Sequence, residues 1–359
     1  MSLILGIESS CDETAAAVVR DGYQVLSSCV ASQIAKHAVH GGVVPELAAR
    51  EHLVALNPVV EGALREAGVT MKEIGAIAVT QGPGLIPALL VGLSFAKGLA
   101  MGNGKPLIGV NHFIAHIYGA FLDEAHGVLE NPATYPLLAL VVSGGHTSLM
   151  LIERDGKARQ LGCTIDDAAG EALDKGAKLL GLGYPGGPIM QKTAEGGDPH
   201  KYEFPRPLTG GAGKPLAPEN LYNFSFSGIK TALFYHVKHH AGADGKLPAE
   251  LLRDTVASYQ EAVVDVLTRK TLLAAKNFGA KTIVVAGGVA CNSVLRERFE
   301  ALTPKHVQLR LAARKYCTDN AAMVGGLGWH YHRKQAYSPL NIDSFARLPQ
   351  ITQVPFLGE

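Results

Sequence analysis

The chain has 359 residues, 47% of them apolar, with 33 Lys+Arg against 32 Asp+Glu and a formal net charge of +1. That length exceeds what one ordinary core fills, so two domains are expected, and the charge balance excludes a protein that grips nucleic acid over its whole surface while leaving room for a local basic patch. The five cysteines (Cys11, Cys29, Cys163, Cys291, Cys317) form no C-x-x-C pair, and no secretory n-region opens the chain, which predicts reduced thiols, a cytoplasmic location and no membrane segment.

Leu3–Glu8 is apolar up to its last residue and predicts a buried strand. A polar turn Ser9–Thr14, a second apolar run Ala15–Val19 and the turn dipeptide Asp21-Gly22 follow. Pro45–Ala67 supplies an apolar helix that could form a dimer surface. Ile74–Thr80 predicts a strand running into Gln81-Gly82-Pro83-Gly84 and a helix beginning near Pro87, where proline is tolerated in a first turn. The most apolar stretch, Leu85–Met101, contains Pro87, Gly92, Lys97 and Gly98; it falls short of the roughly 20 apolar residues of a bilayer span and predicts a buried helix. Lys105–Val110 predicts a short strand, and Asn111 suits the N-cap of a helix that carries His112 and His116.

About 135 residues after the opening its grammar returns, as an internal repeat. Leu137–Val142 is apolar, Ser143-Gly144-Gly145-His146-Thr147 is the polar turn, Ser148–Ile152 is the second strand, and Asp155-Gly156 turns the chain. Asp166–Lys175 is helix-like, with Asp167, Glu171 and Asp174 near one face, solvated or ligand-facing. Tyr184–Pro188 is a glycine turn, and 196–223 is a Gly/Pro-rich loop insertion. Phe224–Thr231 sets Lys230 among small polar residues, as a phosphate or RNA contact would, and His236, His239 and His240 predict a solvated helix face. Lys281–Ala286, the turn Gly287–Asn292 and a helix over Ser293–Leu302 repeat strand, glycine turn and helix. The predicted class is α/β with two related lobes: residues 1–134, joined by a C-terminal helix over 319–335; residues 135–318; and a tail, 336–359.

Two histidines four apart on a helix share a face and can share a metal; the alternative is one capping and one packed histidine. A zinc-protease site is excluded, because H-E-x-x-H needs a carboxylate where Phe113 stands. Asp319, ahead of the small-residue helix Ala321–Gly328, either caps that helix or supplies a third ligand. Two His and one Asp would make a facial triad with open positions, favouring Fe2+, with Zn2+ possible. Ser143-Gly144-Gly145 and Gly287-Gly288 follow strands and offer bare backbone N–H groups to phosphate oxygens. Neither a P-loop nor G-x-G-x-x-G occurs. Arg296, Arg298, Arg310, Arg314 and Lys315 are candidates for nucleic-acid phosphates or a solvated basic face.

Seven motifs occur in order: Gly6–Thr14 (GIESSCDET), Gly109–His116 (GVNHFIAH), Ser143–Thr147 (SGGHT), Asp174–Lys178 (DKGAK) with Tyr184–Gly187 (YPGG), Asn223–Thr231 (NFSFSGIKT), Gly287–Asn292 (GGVACN) and Cys317–Asn320 (CTDN). Together, over residues 3–328, they resemble the bacterial TsaD family, catalytic subunits of tRNA adenosine threonylcarbamoyl transfer. The resemblance implies two ribonuclease-H-like lobes around a cleft, the architecture of actin, Hsp70 and sugar kinases. It implies metal ligands His112, His116 and Asp319, and substrate-binding groups Val141, Val142, Ser143, Gly144, Gly145, Asp174, Gly187 and Asn292. The implied donor is threonylcarbamoyl-AMP and the acceptor tRNA, with a degenerate TsaB-like paralogue and a TsaE-like P-loop ATPase as partners. Many relatives have Glu where Ile114 stands, a departure that touches local packing only. Asp12, Glu13 and His146 are the candidates for proton handling. The competing expectations are a small-molecule kinase of the same fold, against which Glu8 stands where such kinases present Asp, and a nucleotide-sensing scaffold.

Overall fold

The central strands are largely apolar runs, as expected where both faces of a sheet are covered. In the structure, a computed structural model that describes all residues except 125–126, 211–215, 243–244, 348–350 and 358–359, β1 (Leu3–Glu8) has five of its six residues buried. β2 (Glu13–Arg20) and β3 (Gln24–Ser32) follow antiparallel, turning at Gly22, whose φ of +82° suits glycine. Next come α1 (Ile34–Ala38) and α2 (Pro45–Ala67); the latter opens on Pro45 and is closed by Gly68 at φ 67°. β4 (Ile74–Gly82), α3 (Ile86–Asn103), β5 (Leu107–Asn111) and α4 (His112–Gly119) complete the run. The sheet order is β3-β2-β1-β4-β5, with β1, β4 and β5 parallel. Among the described residues one helix, α3, is long and apolar enough to cross a membrane. It packs on α2 and β4, with Leu89, Leu93, Ala96 and Ala100 buried.

The same order is built again from β6 (Leu137–Val142), β7 (Thr147–Ile152) and β8 (Ala158–Cys163). After α5 (Ala169–Leu179), α6 (Gly186–Ala194), α7 (Ser227–His240) and α8 (Ala249–Asn277) come β9 (Thr282–Ala286), α9 (Ser293–Leu302) and β10 (Gln308–Leu311). The second sheet runs β10-β9-β6-β7-β8, with β7 antiparallel to β6 and β6, β9 and β10 parallel. Strand for strand this is the first sheet again, so the repeated grammar of the sequence is a repeated topology.

The helix expected over 166–175 begins only at Ala169. Asp166 instead accepts the Phe226 and Ser227 N–H groups at 2.8 and 3.3 Å and the Ser225 and Ser227 hydroxyls at 2.6 and 2.7 Å, closing the start of α7. Asp167, ahead of the helix, pairs with Lys175 and Lys230 at 2.8 and 2.7 Å, and Lys175 also reaches Glu171 at 2.8 Å. His236 is not on a solvated face either. Its ring stands edge-on to Tyr202 at 4.4 Å, and its Nε2 lies 3.0 Å from Thr255 Oγ1 on α8.

The chain ends with α10 (Arg314–Cys317) and α11 (Ala321–Arg333). The small residues of α11 serve close approach: a Cβ on Gly6 of β1 would overlap the Ala321 carbonyl oxygen, and one on Gly325 would stand 3.0 Å from Val19. Two compact units result, 1–134 with 153–158 and 312–359, and 135–152 with 159–311. Residues 336–359 belong to the first: Ser338 N–H donates to the Leu107 carbonyl at 2.8 Å, and Gln81 Nε2 to that of Asp343 at 2.7 Å. In the expected insertion 196–223, residues 211–215 lie outside the described residues; the rest holds one helical turn, Pro218–Asn220.

Candidate functional site

In the first unit, β5 ends in Asn111, whose Oδ1 accepts the Phe113 and Ile114 N–H groups at 3.0 and 3.2 Å. This cap sets the phase of α4 and so places His112 and His116 one turn apart on a buried face. At the far end of the sequence Asn320, not Asp319, caps α11, taking the Met323 N–H at 3.0 Å. The Asp319 carboxylate turns to α4 instead. Its Oδ1 lies 3.4 Å from His112 Nε2 and 3.2 Å from His116 Nε2, and the two imidazole nitrogens are 3.1 Å apart. Donors about 2.0–2.1 Å from one shared ion would stand about 2.8–3.4 Å from each other, from octahedral to tetrahedral geometry. The three residues therefore fit a single cation. The histidine side chains are 8% and 2% exposed and Asp319 19%, so the group is closed behind the imidazoles and open beside the carboxylate.

Glu8 supports this group, a role its sequence position did not disclose. Fully buried, it accepts His112 Nδ1–H at 2.9 Å and the Thr80 hydroxyl at 2.6 Å on Oε2, and the Ser10 N–H on Oε1. A carboxylate only accepts, so His112 carries hydrogen on Nδ1 and presents Nε2 toward Asp319. His116 Nδ1 is buried without a hydrogen-bond partner. Burial opposes charge on His112, yet Glu8 and Asp319 outweigh it and hold the imidazolium up at about 10. Against the same burial, His112 holds both carboxylates below their ordinary range. His116 is pushed down by burial and by the charge on His112. The centre is thus built around positive charge, which a cation held by the three residues could supply in place of the proton.

The β1–β2 turn brings Asp12 and Glu13 into the field of Asp319. Burial raises both, and Asp319 adds to it; Glu13 reaches about 7. The Ser32 hydroxyl donates to Glu13 Oε1 at 2.9 Å, while Oε2 is buried with no hydrogen-bond partner.

In the second unit β6 ends at Val142, and Ser143 N–H donates to the His146 carbonyl at 2.8 Å, making a tight turn with Gly144 and Gly145 exposed. His146, half-buried, returns its own N–H to Ser143 Oγ at 3.1 Å. The turn is packed from two sides. A Cβ on Gly170 of α5 would stand 2.6 Å from the Ser143 carbonyl oxygen, and one on Gly287, at φ +94°, would overlap that of Val142. A Cβ on Gly144 or Gly145 would meet nothing within 4 Å, so their outer side is open to an anion's oxygens. Asp174 accepts the Gly186 N–H at 2.7 Å, next to Gly187. Asn292 is engaged at both ends: Oδ1 takes the Leu295 N–H at 3.0 Å, and Nδ2 donates to Gln260 Oε1 at 2.8 Å. Gln260, inside a long buried helix, gave no signal in the sequence.

The expected phosphate-binding cations are mostly otherwise employed. Arg298 Nη2 reaches both oxygens of Glu261 at 2.8 and 2.7 Å, Lys315 pairs with Asp123 at 2.8 Å, and Arg296 Nη1 donates to the Ala290 carbonyl at 3.0 Å. Lys230 is held by Asp167, as described for the fold.

The TsaD family model, described as tRNA N6-adenosine threonylcarbamoyltransferase, matches residues 24–326. A protein of that name from Syntrophobacter fumaroxidans is 50% identical over 350 residues, covering 96% of this chain and 99% of its own. One from Thermosipho africanus is 45% identical over 347 residues, with 96% and 99% covered. Among solved structures, HypF of T. kodakarensis superposes with a TM-score of 0.56 at 15% identity, covering 94% of this chain and 48% of that one. Component A of the (R)-2-hydroxyglutaryl-CoA dehydratase of Acidaminococcus fermentans gives 0.52 at 13%, covering 94% and 100%. Identities that low speak for the α/β fold alone.

Proposed function

Because this chain belongs to the TsaD family of tRNA N6-adenosine threonylcarbamoyltransferases, we propose that it moves the threonylcarbamoyl group of threonylcarbamoyl-AMP onto N6 of the adenosine 3′ of the anticodon in ANN-decoding tRNAs. Kinship over nearly the whole chain carries this reading. The new bond joins N6 to the carbamoyl carbon, the bond from that carbon to the phosphate oxygen breaks, and AMP leaves with the electron pair. Backbone N–H groups of Gly144 and Gly145 bind the adenylate phosphate, with Val141, Val142, Ser143, Asp174, Gly187 and Asn292 shaping the pocket around them. Glu13 takes the proton from N6, its carboxyl poised near neutrality; Asp12 and His146 are the other candidates for that task. His112, His116 and Asp319 would hold a divalent ion, Fe2+ in preference to Zn2+, which would supply Lewis acidity to the transfer.

The kinase alternative loses its carboxylate: both oxygens of Glu8 are committed to His112, Thr80 and Ser10, out of reach of Mg2+–ATP. As partners we assign a TsaB-like paralogue, docked on the exposed Leu53 and Val54 of α2 and Leu90 of α3, and a TsaE-like ATPase, all in the cytoplasm. The test is direct. Purified protein with these partners, threonylcarbamoyl-AMP and tRNA should yield N6-threonylcarbamoyladenosine and one AMP per modified tRNA. Unmodified tRNA in that mixture defeats the reading, and ADP release from ATP with a sugar or acid would favour the kinase.

A further inference from the structure

The stretch from Ser9 to Asp12 has no regular structure, yet three of its carbonyls in a row are held, each by a different element. Ser10 O accepts the Leu85 N–H at 2.8 Å, and Asp12 O accepts the Gln33 N–H at 3.0 Å. Between them, Cys11 O lies 3.0 Å from Nε2 of His52, a fully buried side chain of α2. Two of the three donors are backbone groups that any residue would supply. The third depends on one imidazole.

The hydrogens of that imidazole are fixed from both ends of a buried chain of polar groups. Val44 N–H can only donate, so His37 Nδ1, 3.2 Å away, accepts. His37 Nε2 therefore carries hydrogen and donates to Gln33 Oε1 at 3.0 Å, which turns the Gln33 amide nitrogen toward His52 Nδ1 at 3.4 Å. The Thr14 hydroxyl lies 2.7 Å from the same nitrogen. At the other end the Cys11 carbonyl can only accept. His52 is thus a neutral imidazole with hydrogen on Nε2, donating to the turn and accepting from Thr14. His37, Gln33 and Thr14 are themselves buried, so no water competes for these groups.

We propose that His52 is a positioning residue for the acid-bearing turn: by holding the Cys11 carbonyl it fixes the direction in which Asp12 and Glu13 leave the chain. This rests on the reading of that turn as the proton-handling part of threonylcarbamoyl transfer. It differs from a plain structural role, which would cost stability without touching the rate of folded enzyme.

Two amides separate the alternatives. Glutamine at 52 places its side-chain nitrogen near the position of Nε2 and reaches the Cys11 carbonyl; asparagine places it near Nδ1 and does not. In the full complex, His52→Asn should lower kcat about ten- to hundredfold, with KM for tRNA and metal content unchanged, and His52→Gln should stay within about threefold of wild type. Amide hydrogen exchange on the same proteins should speed up at Asp12 and Glu13 in His52→Asn alone. Equal kcat and equal exchange in the two variants overturn the inference. A wild-type complex that leaves tRNA unmodified overturns the functional reading instead, and the exchange data still decide the positioning. Should neither variant fold, Thr14→Val against Thr14→Ser decides: Ser keeps the hydroxyl that holds the tautomer, so only Val should slow turnover, and equal rates reject the role.

Discussion

The two units share a strand order, and the first polar turn of each has become a different tool. In the first unit the β1–β2 turn offers side chains: its carbonyls are held, and Asp12 and Glu13 project beside a centre built around positive charge. In the second, the β6–β7 turn offers main chain: Gly144 and Gly145 have no side chain, and open space lies where one would be. One topology thus gives a half with a candidate cation site beside acids and a half with open main-chain N–H groups. The difference lies in which atoms the turn leaves unoccupied. Acids beside the second turn would repel an anion, and glycines in the first would leave the candidate metal group without neighbouring carboxyls.

The strongest attack on this division removes the ligand that unites distant parts of the first unit. Asp319→Ala or His116→Ala should abolish metal loading, read as metal per chain, and lower tRNA modification by about a thousandfold or more. Adenylate binding should persist if the second unit holds it alone. Metal retention in both variants would break the comparison. Next in size is Glu8→Gln. An amide cannot accept from both Thr80 and His112 Nδ1 while also taking the Ser10 N–H, and such supporting contacts are worth about 10–100-fold in metal affinity. Chelator competition at constant pH should show that loss, with adenylate binding intact.

The second unit is tested by two glycines that look alike in sequence and differ in their surroundings. Gly287→Ala sets a methyl against the Val142 carbonyl at φ +94° and should destabilise the fold by about 1–3 kcal/mol in thermal or denaturant unfolding. Gly144→Ala meets no protein atom, so stability should hold while KM for the adenylate rises roughly tenfold. Equal stability losses would show Gly144 to be as structural as Gly287.

What could be read in the sequence was whatever local pattern decides. Strand, polar turn and strand repeat within short windows, and so the doubled topology was visible. His112 and His116 were visible because helical spacing alone puts them on one face. Whether Asp319 caps α11 or supplies a ligand was open, since a carboxylate just ahead of a helix can do either. The structure decides it by placing α11 on Gly6, which brings Asp319 to α4. Glu8 was hidden, because an acid closing an apolar run looks like a strand end and its partners Thr80 and His112 are brought to it only by sheet pairing. Asp166 read as the start of a helix, because its true acceptor role depends on residues 225–227, far along the chain.

The smallest effect is the pH dependence of stability that Glu13 confers. Its carboxyl stands at about 7 in the fold, above an unfolded value near 4.5, because burial disfavours the charged form and the charges of Asp12 and Asp319 add to it. A group whose pKa is raised on folding stabilises fully below its unfolded value and loses that contribution as pH rises through the folded one. Wild type should therefore lose a few degrees of Tm between pH 5 and pH 8 relative to Glu13→Gln, which cannot ionise. Metal sharpens the comparison. Neutralising Asp319 removes one of the charges that hold Glu13 up, so the difference between wild type and Glu13→Gln should shrink and its midpoint fall to lower pH in loaded protein. An identical pH dependence in wild type and Glu13→Gln, with or without metal, would show that this carboxyl is solvated and unfit to exchange a proton near neutrality.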